Sequence, residues 1–145
     1  MSIDLKFVTL AVLITLTGCA TGYQARGISG GFDEVRLSPT MWRISFKGNA
    51  YTDGDKATNF VLLRSADLTI KNGFKSFIII DANSDIEYST YNNVAAGTSQ
   101  LMTRPSSSNT ILMLSDTDDF KGVVYDAQFL CASLGPKYEV QCGQF

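Results

Sequence analysis

The side chains that could do chemistry include several carboxylates and Arg64, one of five arginines, and the chain contains no histidine. That absence excludes Ser–His–Asp and Cys–His catalysis, imidazole-ligated zinc and a histidine-based pH switch. Arg64 and Asp67 stand three residues apart in a segment with helical character, so the two side chains can pair along one helix surface. A charge inside an apolar face is costly unless paired, which favours a structural ion pair. The functional alternative is an anion site in which Arg64 binds a carboxylate or phosphate. Asp81-Ala82-Asn83-Ser84-Asp85 opens like a calcium loop, D-x-N-x-D, in which alternate oxygens face one cation. The pattern then fails, since Ile86 stands where such a loop needs Gly and Asn92 where it needs a bidentate Glu. A polar turn at a strand end is the simpler reading. Asp116, Asp118 and Asp119 read as a solvated acidic loop. Asp53, Asp55 and Asp81 would have to converge to act as general acid and base, and their separation decides that. Gly27-Ile28-Ser29-Gly30-Gly31 matches the G-x-S-x-G nucleophile elbow in letters but lacks the flanking strand, the helix and the base. Trp42 and the tyrosines could line a sugar or peptide groove, although aromatic residues in strands usually belong to the core. No metal and no cofactor is expected.

These groups must be positioned by one domain, for the chain has 145 residues, is 45% hydrophobic and carries a net charge of −2. Neither wholesale disorder nor a nucleic-acid surface fits that composition. From Met41, Trp42, Ile44 and Phe46 alternate with Arg43, Ser45 and Lys47, which predicts a strand with one buried face. Thr52 and Asp55 resemble a capping box, and a helix is expected from Gly54 to Asn72, stopped at Gly73. On a wheel, Ala57, Phe60, Val61 and Leu68 form one apolar group, and Leu62, Leu63, Ala66 and Ile70 a second nearly opposite, so the helix should be covered on more than one side. Phe74–Asp81 is an apolar run of β-formers, as in a strand buried on both faces. Strand, helix and strand make a βαβ unit whose two strands should run parallel. Ile86–Val94 should pair next, residues 95–109 should form a mobile Ser-rich loop, and Thr110–Ser115 another strand. A short helix is expected over Tyr125–Leu134, ended by Gly135-Pro136. The fold class is therefore α+β: a mixed β-sheet of about four or five strands, one long helix on one face and a short C-terminal helix.

The N-terminus supplies an address. Lys6 precedes an apolar stretch, Phe7–Leu16, that covers about half of the roughly 20 residues a transmembrane helix needs, which is the grammar of a secretory signal. Its end, Leu16-Thr17-Gly18-Cys19, resembles the lipobox of bacterial lipoproteins. That resemblance implies removal of residues 1–18, acylation of Cys19 and, through Ala20, retention at the outer membrane. Residues 19–32, rich in Gly, read as a flexible lipid-anchored tether, and residues 33–145 as a single periplasmic domain. Export changes the reading of Cys131 and Cys142, which should form a disulfide in an oxidising compartment, with two thiols as the alternative.

The run Trp42-Arg43-Ile44-Ser45-Phe46-Lys47-Gly48-Asn49, the helical Leu62-Leu63-Arg64-Ser65-Ala66-Asp67-Leu68-Thr69, and Gly73-Phe74 with Phe77–Asp81 resemble a family of small proteobacterial lipoproteins of uncharacterised function. The resemblance spans about residues 33–81, with Tyr125-Asp126-Ala127 echoing it further on. It implies a location and a fold and supplies no catalytic role. The expected function is thus a non-enzymatic accessory or interaction module, anchored in the outer membrane and facing the periplasm. Its partner would be an envelope protein or glycan, not nucleic acid. A small-ligand or glycan-binding lipoprotein is the alternative, and a carboxylate hydrolase the third reading.

Overall fold

The alternation that begins at Met41 makes strand β2 (Met41–Lys47): Ile44 and Phe46 are buried while Arg43 is exposed. The computed structural model describes residues 19–116 and 118–144, so the expected signal segment, residues 1–18, lies outside the described residues. Preceding β2 is β1 (Gly31–Arg36). Helix α1 (Gly54–Lys71) follows, then two long strands, β3 (Ser76–Asn93) and β4 (Thr98–Leu114), then a two-residue β5 (Tyr125–Asp126), α2 (Ala127–Leu134) and a 3-10 turn at Pro136–Tyr138. The sheet order is β1-β2-β4-β3-β5, and every pairing between these strands is antiparallel.

That sheet confirms the α+β class and corrects two details of it. The sheet is antiparallel rather than mixed. β2 and β3 do run in the same direction, since both are antiparallel to β4, but β4 lies between them, so the βαβ unit has no adjacent parallel pair. A crossover as long as α1 leaves room for an intervening strand, and the hairpin return of β4 fills it.

Asp53 caps α1 by accepting from the Asp55 amide at 3.0 Å. Thr52, the expected cap, is spent elsewhere: its hydroxyl accepts from the amides of Asn49 and Thr21 at 3.1 and 3.2 Å. Gly73, just past the helix, has φ +81°, which favours glycine. The two apolar groups on α1 are explained by partners on two sides, with β2, β3 and β4 on one and α2 on the other. At the centre of the core, Phe60 meets Tyr23, Phe46 and Tyr138 edge to face, with ring centroids 5.5, 5.0 and 4.8 Å away. The buried hydroxyls of Ser65 and Thr69 donate to the carbonyls of Val61 and Ser65, one turn back, which satisfies them inside the helix.

The expected loop over residues 95–109 and the expected turn over 81–85 are both strand. β3 and β4 form one hairpin, paired from Ser76↔Leu114 to Asn93↔Thr98, with a register shift between Ile79 and Asp81. Only residues 94–97 turn, with Gly97 at φ +62°. The last β2 residue to pair with β4 is Lys47, opposite Ser106, and β5 pairs only with Ser76 and Phe77. Residues 86–104 therefore leave the sheet as a two-stranded arm. Both faces of the arm are wet, so the brief alternation of Ile86 and Tyr88 with Glu87 and Ser89 is not sustained along it, and the strands are held by the backbone ladder.

The stretch 19–32 is folded against the domain and is no flexible tether. Thr21 is buried, and Tyr23 packs on Phe32 with centroids 5.1 Å apart. Bridges join Ala25 to Phe32 and Gly27 to Gly30. The glycines there serve close approach, since a Cβ on Gly30 would stand 2.2 Å from the Lys47 carbonyl oxygen. At the other end, α2 starts at Ala127 rather than Tyr125, capped by Asp126, which accepts from the Phe129 amide at 2.8 Å. Cys131 and Cys142 form the expected disulfide.

Candidate functional site

The helix spacing that predicts an Arg64–Asp67 pair is realised, and three further groups join it. Arg64 Nη1 donates to Asp67 Oδ2 at 2.5 Å, and Arg64 Nε donates to Glu34, which reaches in from β1. Lys71, one turn beyond Asp67, places Nζ 3.0 Å from the same carboxylate oxygen. The Gly143 amide donates to the other oxygen at 2.8 Å. The Arg64 guanidinium lies over the Phe32 ring, 4.4 Å from its centroid. Only 15% of the Arg64 side chain and 4% of Asp67 remain exposed, so the pair is largely desolvated.

Electrostatics within this cluster are internally balanced, two cations against two carboxylates. Burial acts to lower the Arg64 pKa, and the hydrogen bond to Glu34, with the Glu34 charge and the neighbouring Tyr23, outweighs it, so the guanidinium is held above its ordinary value. Tyr23 sits beside Arg64 without a well-formed hydrogen bond for its buried hydroxyl. Burial raises the Tyr23 pKa, and the positive charge of Arg64 offsets only part of that rise. The arrangement is a structural network: an incoming anion would have to displace Glu34 or Asp67 from Arg64. It does border an open cleft of about 570 Å³, lined by Tyr23, Phe32, Arg64, Asp67, Gln141 and Gln144.

No two of Asp53, Asp55 and Asp81 line the same depression among the described residues. Asp53 is occupied as the helix cap, and Asp55 shares a shallow depression with Asp85. Asp81 lies four residues from Asp85 along β3, about 13 Å at strand rise, beyond the spacing of a glycosidase pair. Asp81, Asn83 and Asp85 are strung along an extended strand, whereas a calcium loop must curl them around one ion. Asp116 pairs with Lys75 at 2.6 Å, and Asp118 accepts from the Ser115 amide at 2.6 Å. Among the described residues, no group of three or more His, Cys, Asp or Glu is placed to hold a metal ion. Gly27–Gly31 forms a tight turn, with Gly27 and Gly30 exchanging backbone hydrogen bonds at 2.9 and 3.2 Å, and is no nucleophile elbow. Trp42 packs against the core with Arg36 over its ring, 5.5 Å from the centroid.

The chain matches no family model, no curated protein and no solved structure. Its site must be read from its own geometry.

Cys19 is exposed at the surface, and its carbonyl oxygen accepts from Asn49 Nδ2 at 3.0 Å. Two residues later Thr21 is buried, so the packed domain begins at once. No described helix is long and apolar enough to cross a membrane, which says nothing of a β-barrel. Sequence reasoning missed Glu34, Tyr23 and Gly143, whose contacts with the cluster span long stretches of chain. Lys71 was within reach, because it stands four residues after Asp67 on one helix face.

Proposed function

We propose that this chain is a lipoprotein of the bacterial envelope, attached at Cys19 to the outer membrane with its domain in the periplasm, and that it acts as a non-enzymatic accessory or interaction module. The observation that carries the reading is the position of Cys19: it ends the lipobox-like Leu16-Thr17-Gly18-Cys19 and lies exposed immediately before the packed domain. Acyl chains on its sulfur would disturb nothing in the core, and stable anchoring takes more than one chain. The Cys131–Cys142 disulfide supports export to an oxidising compartment. Ala20 supports the outer membrane, and the resemblance to small proteobacterial lipoproteins agrees with both.

Cys19→Ser should abolish fatty-acid labelling and membrane partitioning, and unchanged partitioning sinks the reading. In-cell crosslinking of the lipidated protein, with Cys19→Ser as the mislocalised control, should capture a partner that the control loses. The open cleft beside Arg64 favours a second reading, a small-ligand or glycan-binding lipoprotein. Titration with envelope glycans should then move the amide resonances of Gln141 and Gln144, and unmoved signals remove it.

A further inference from the structure

We propose that the β3–β4 arm is a second membrane contact, laid on the bilayer interface at the end of the domain held by the Cys19 anchor. The inference rests on the lipoprotein reading and adds to it a defined orientation.

Three observations converge. Residues 88–103, between Glu87 and Arg104, contain no Asp, Glu, Lys or Arg, although the arm is open to solvent on both sides. Register places Ile86 and Tyr88 with Leu101 on one face, the continuation of the core face beyond the N-terminus of α1. Tyr88 is 65% exposed, Leu101 67% and Val94, at the tip, 93%. Ile86 and Tyr88 border a depression at the start of α1, whereas Leu101 and Val94 stand further out along the arm. A two-stranded ribbon with such exposed apolar side chains is marginal in water and presents open edges.

The arm also shares its end of the molecule with the anchor. The Gly48 amide donates to the Pro105 carbonyl at 2.8 Å, at the arm's neck, and the next residue, Asn49, donates to the Cys19 carbonyl at 3.0 Å. One short loop thus touches both. Because Thr21 is already buried, a lipid on Cys19 holds this end against the membrane without slack. Ile28, fully exposed on the neighbouring turn, and Tyr51 border a shallow groove with Arg26, Lys47 and Arg104. Its charges are balanced, since Arg26 pairs with Asp33 at 3.5 Å, Lys47 with Glu87 at 3.0 Å, and Arg104 stands opposite Glu87, so the contact rests on apolar and aromatic side chains. Tyrosines suit headgroup depth, where one end of the ring is apolar and the other wet. The unpaired edges exclude deeper insertion, since hydrocarbon offers their backbone groups no partner.

The test uses the lipidated full chain in vesicles of phosphatidylethanolamine and phosphatidylglycerol, with an environment-sensitive nitrobenzoxadiazole label at Val94→Cys. Val123→Cys serves as control, because it lies beside β5 at the opposite end of the sheet and is 71% exposed. In the acylated protein the Cys19 sulfur is a thioether and Cys131 and Cys142 are bonded, so each variant offers one thiol. The label at Val94 should shift to the blue and lose most of its emission to shallow nitroxide lipids, while the label at Val123 loses none. Equal wetness at the two positions overturns the proposal. So does a Val94 label that becomes dry only when a partner protein is reconstituted alongside. The mass of the N-terminal peptide reads acylation separately: a missing acyl mass fails the lipoprotein reading, whereas an acylated chain with a wet Val94 label fails the arm alone.

Discussion

Asp67, in the middle of α1, accepts a hydrogen bond at 2.8 Å from the backbone amide of Gly143, 76 positions further along the chain. The same carboxylate takes Arg64 and Lys71 on its other oxygen, so one buried acid joins the helix, the Glu34 strand and the C-terminal tail. Asp67→Asn keeps the volume and removes the charge, leaving Arg64 and Lys71 with fewer partners. Hydrogen bonds to charged groups contribute about 1.5–3 kcal/mol each, and breaking a buried pair costs about 3–5 kcal/mol. Urea unfolding should show a loss of about 2–4 kcal/mol, and a change below 0.5 kcal/mol would mean that the cluster holds nothing together.

The disulfide fastens the same tail covalently, since Gly143 follows Cys142 directly. Replacing both cysteines, Cys131→Ala with Cys142→Ala, should cost about 2–3 kcal/mol by the chain-entropy model for a short loop. Hydrogen exchange followed by mass spectrometry should accelerate at residues 141–144, Gly143 included. Combining the double replacement with Asp67→Asn should then cost less than the sum of the two, because both act on one segment. Strict additivity would show that the covalent and ionic fastenings are independent.

What was legible in the sequence follows from what each element is held by. β2 is read from its alternation because one face is buried at Ile44 and Phe46, and α1 from its apolar groups and the Gly73 stop. Burial writes a period into side chains. The arm carries such a period only over Ile86–Ser89; the rest of residues 86–104 is stabilised by backbone pairing, and its Ser and Thr residues imitate a loop. β1 was hidden for a different reason: the glycines at its start look like slack, whereas Gly30, just before it, and Gly31, its first residue, admit the close approach of Lys47 and Ala25. At the site, local spacing reveals Arg64, Asp67 and Lys71, while Glu34 and Gly143 arrive through tertiary folding that no local pattern records.

Tyr23 links this core to pH. Burial raises its pKa above that of a free phenol, about 10, despite the opposing charge of Arg64. The folded state therefore holds the phenolic proton more tightly than the unfolded chain. Its stabilising contribution is complete below about pH 10 and is lost as pH rises from there, at no more than about 1.4 kcal/mol per pH unit for one proton. Urea midpoints at pH 8 and pH 11 should fall more steeply for the wild type than for Tyr23→Phe. At pH 8 the variant should be nearly neutral, since the hydroxyl it removes is buried without a partner. Parallel declines would show that Tyr23 ionises as freely in the fold as in the unfolded chain.

Gly30 decides whether the anchor is rigidly coupled to the domain. Its φ of +103° is unfavourable for other residues, and a Cβ there would meet the Lys47 carbonyl oxygen at 2.2 Å, a backbone atom that cannot step aside. Gly30→Ala should cost about 1–3 kcal/mol, the usual range for strain at such a position, or else detach residues 21–30 from the sheet. Detachment would free the backbone at Arg26, whose side chain is already exposed and whose amide is bonded to the Phe32 carbonyl, for cleavage by trypsin, and undo the Tyr23 contacts with Phe32 and Phe60. Gly27, in the same turn, has open space around it and should accept Ala within about 0.5 kcal/mol. The pair of variants separates two physical pictures. If Gly30→Ala is as harmless and as trypsin-resistant as Gly27→Ala, the segment has enough slack to rotate, and a lipid at Cys19 fixes no orientation. If only Gly30→Ala loosens it, the wild-type connection is short and stiff, and the face set against the bilayer is determined by the fold itself.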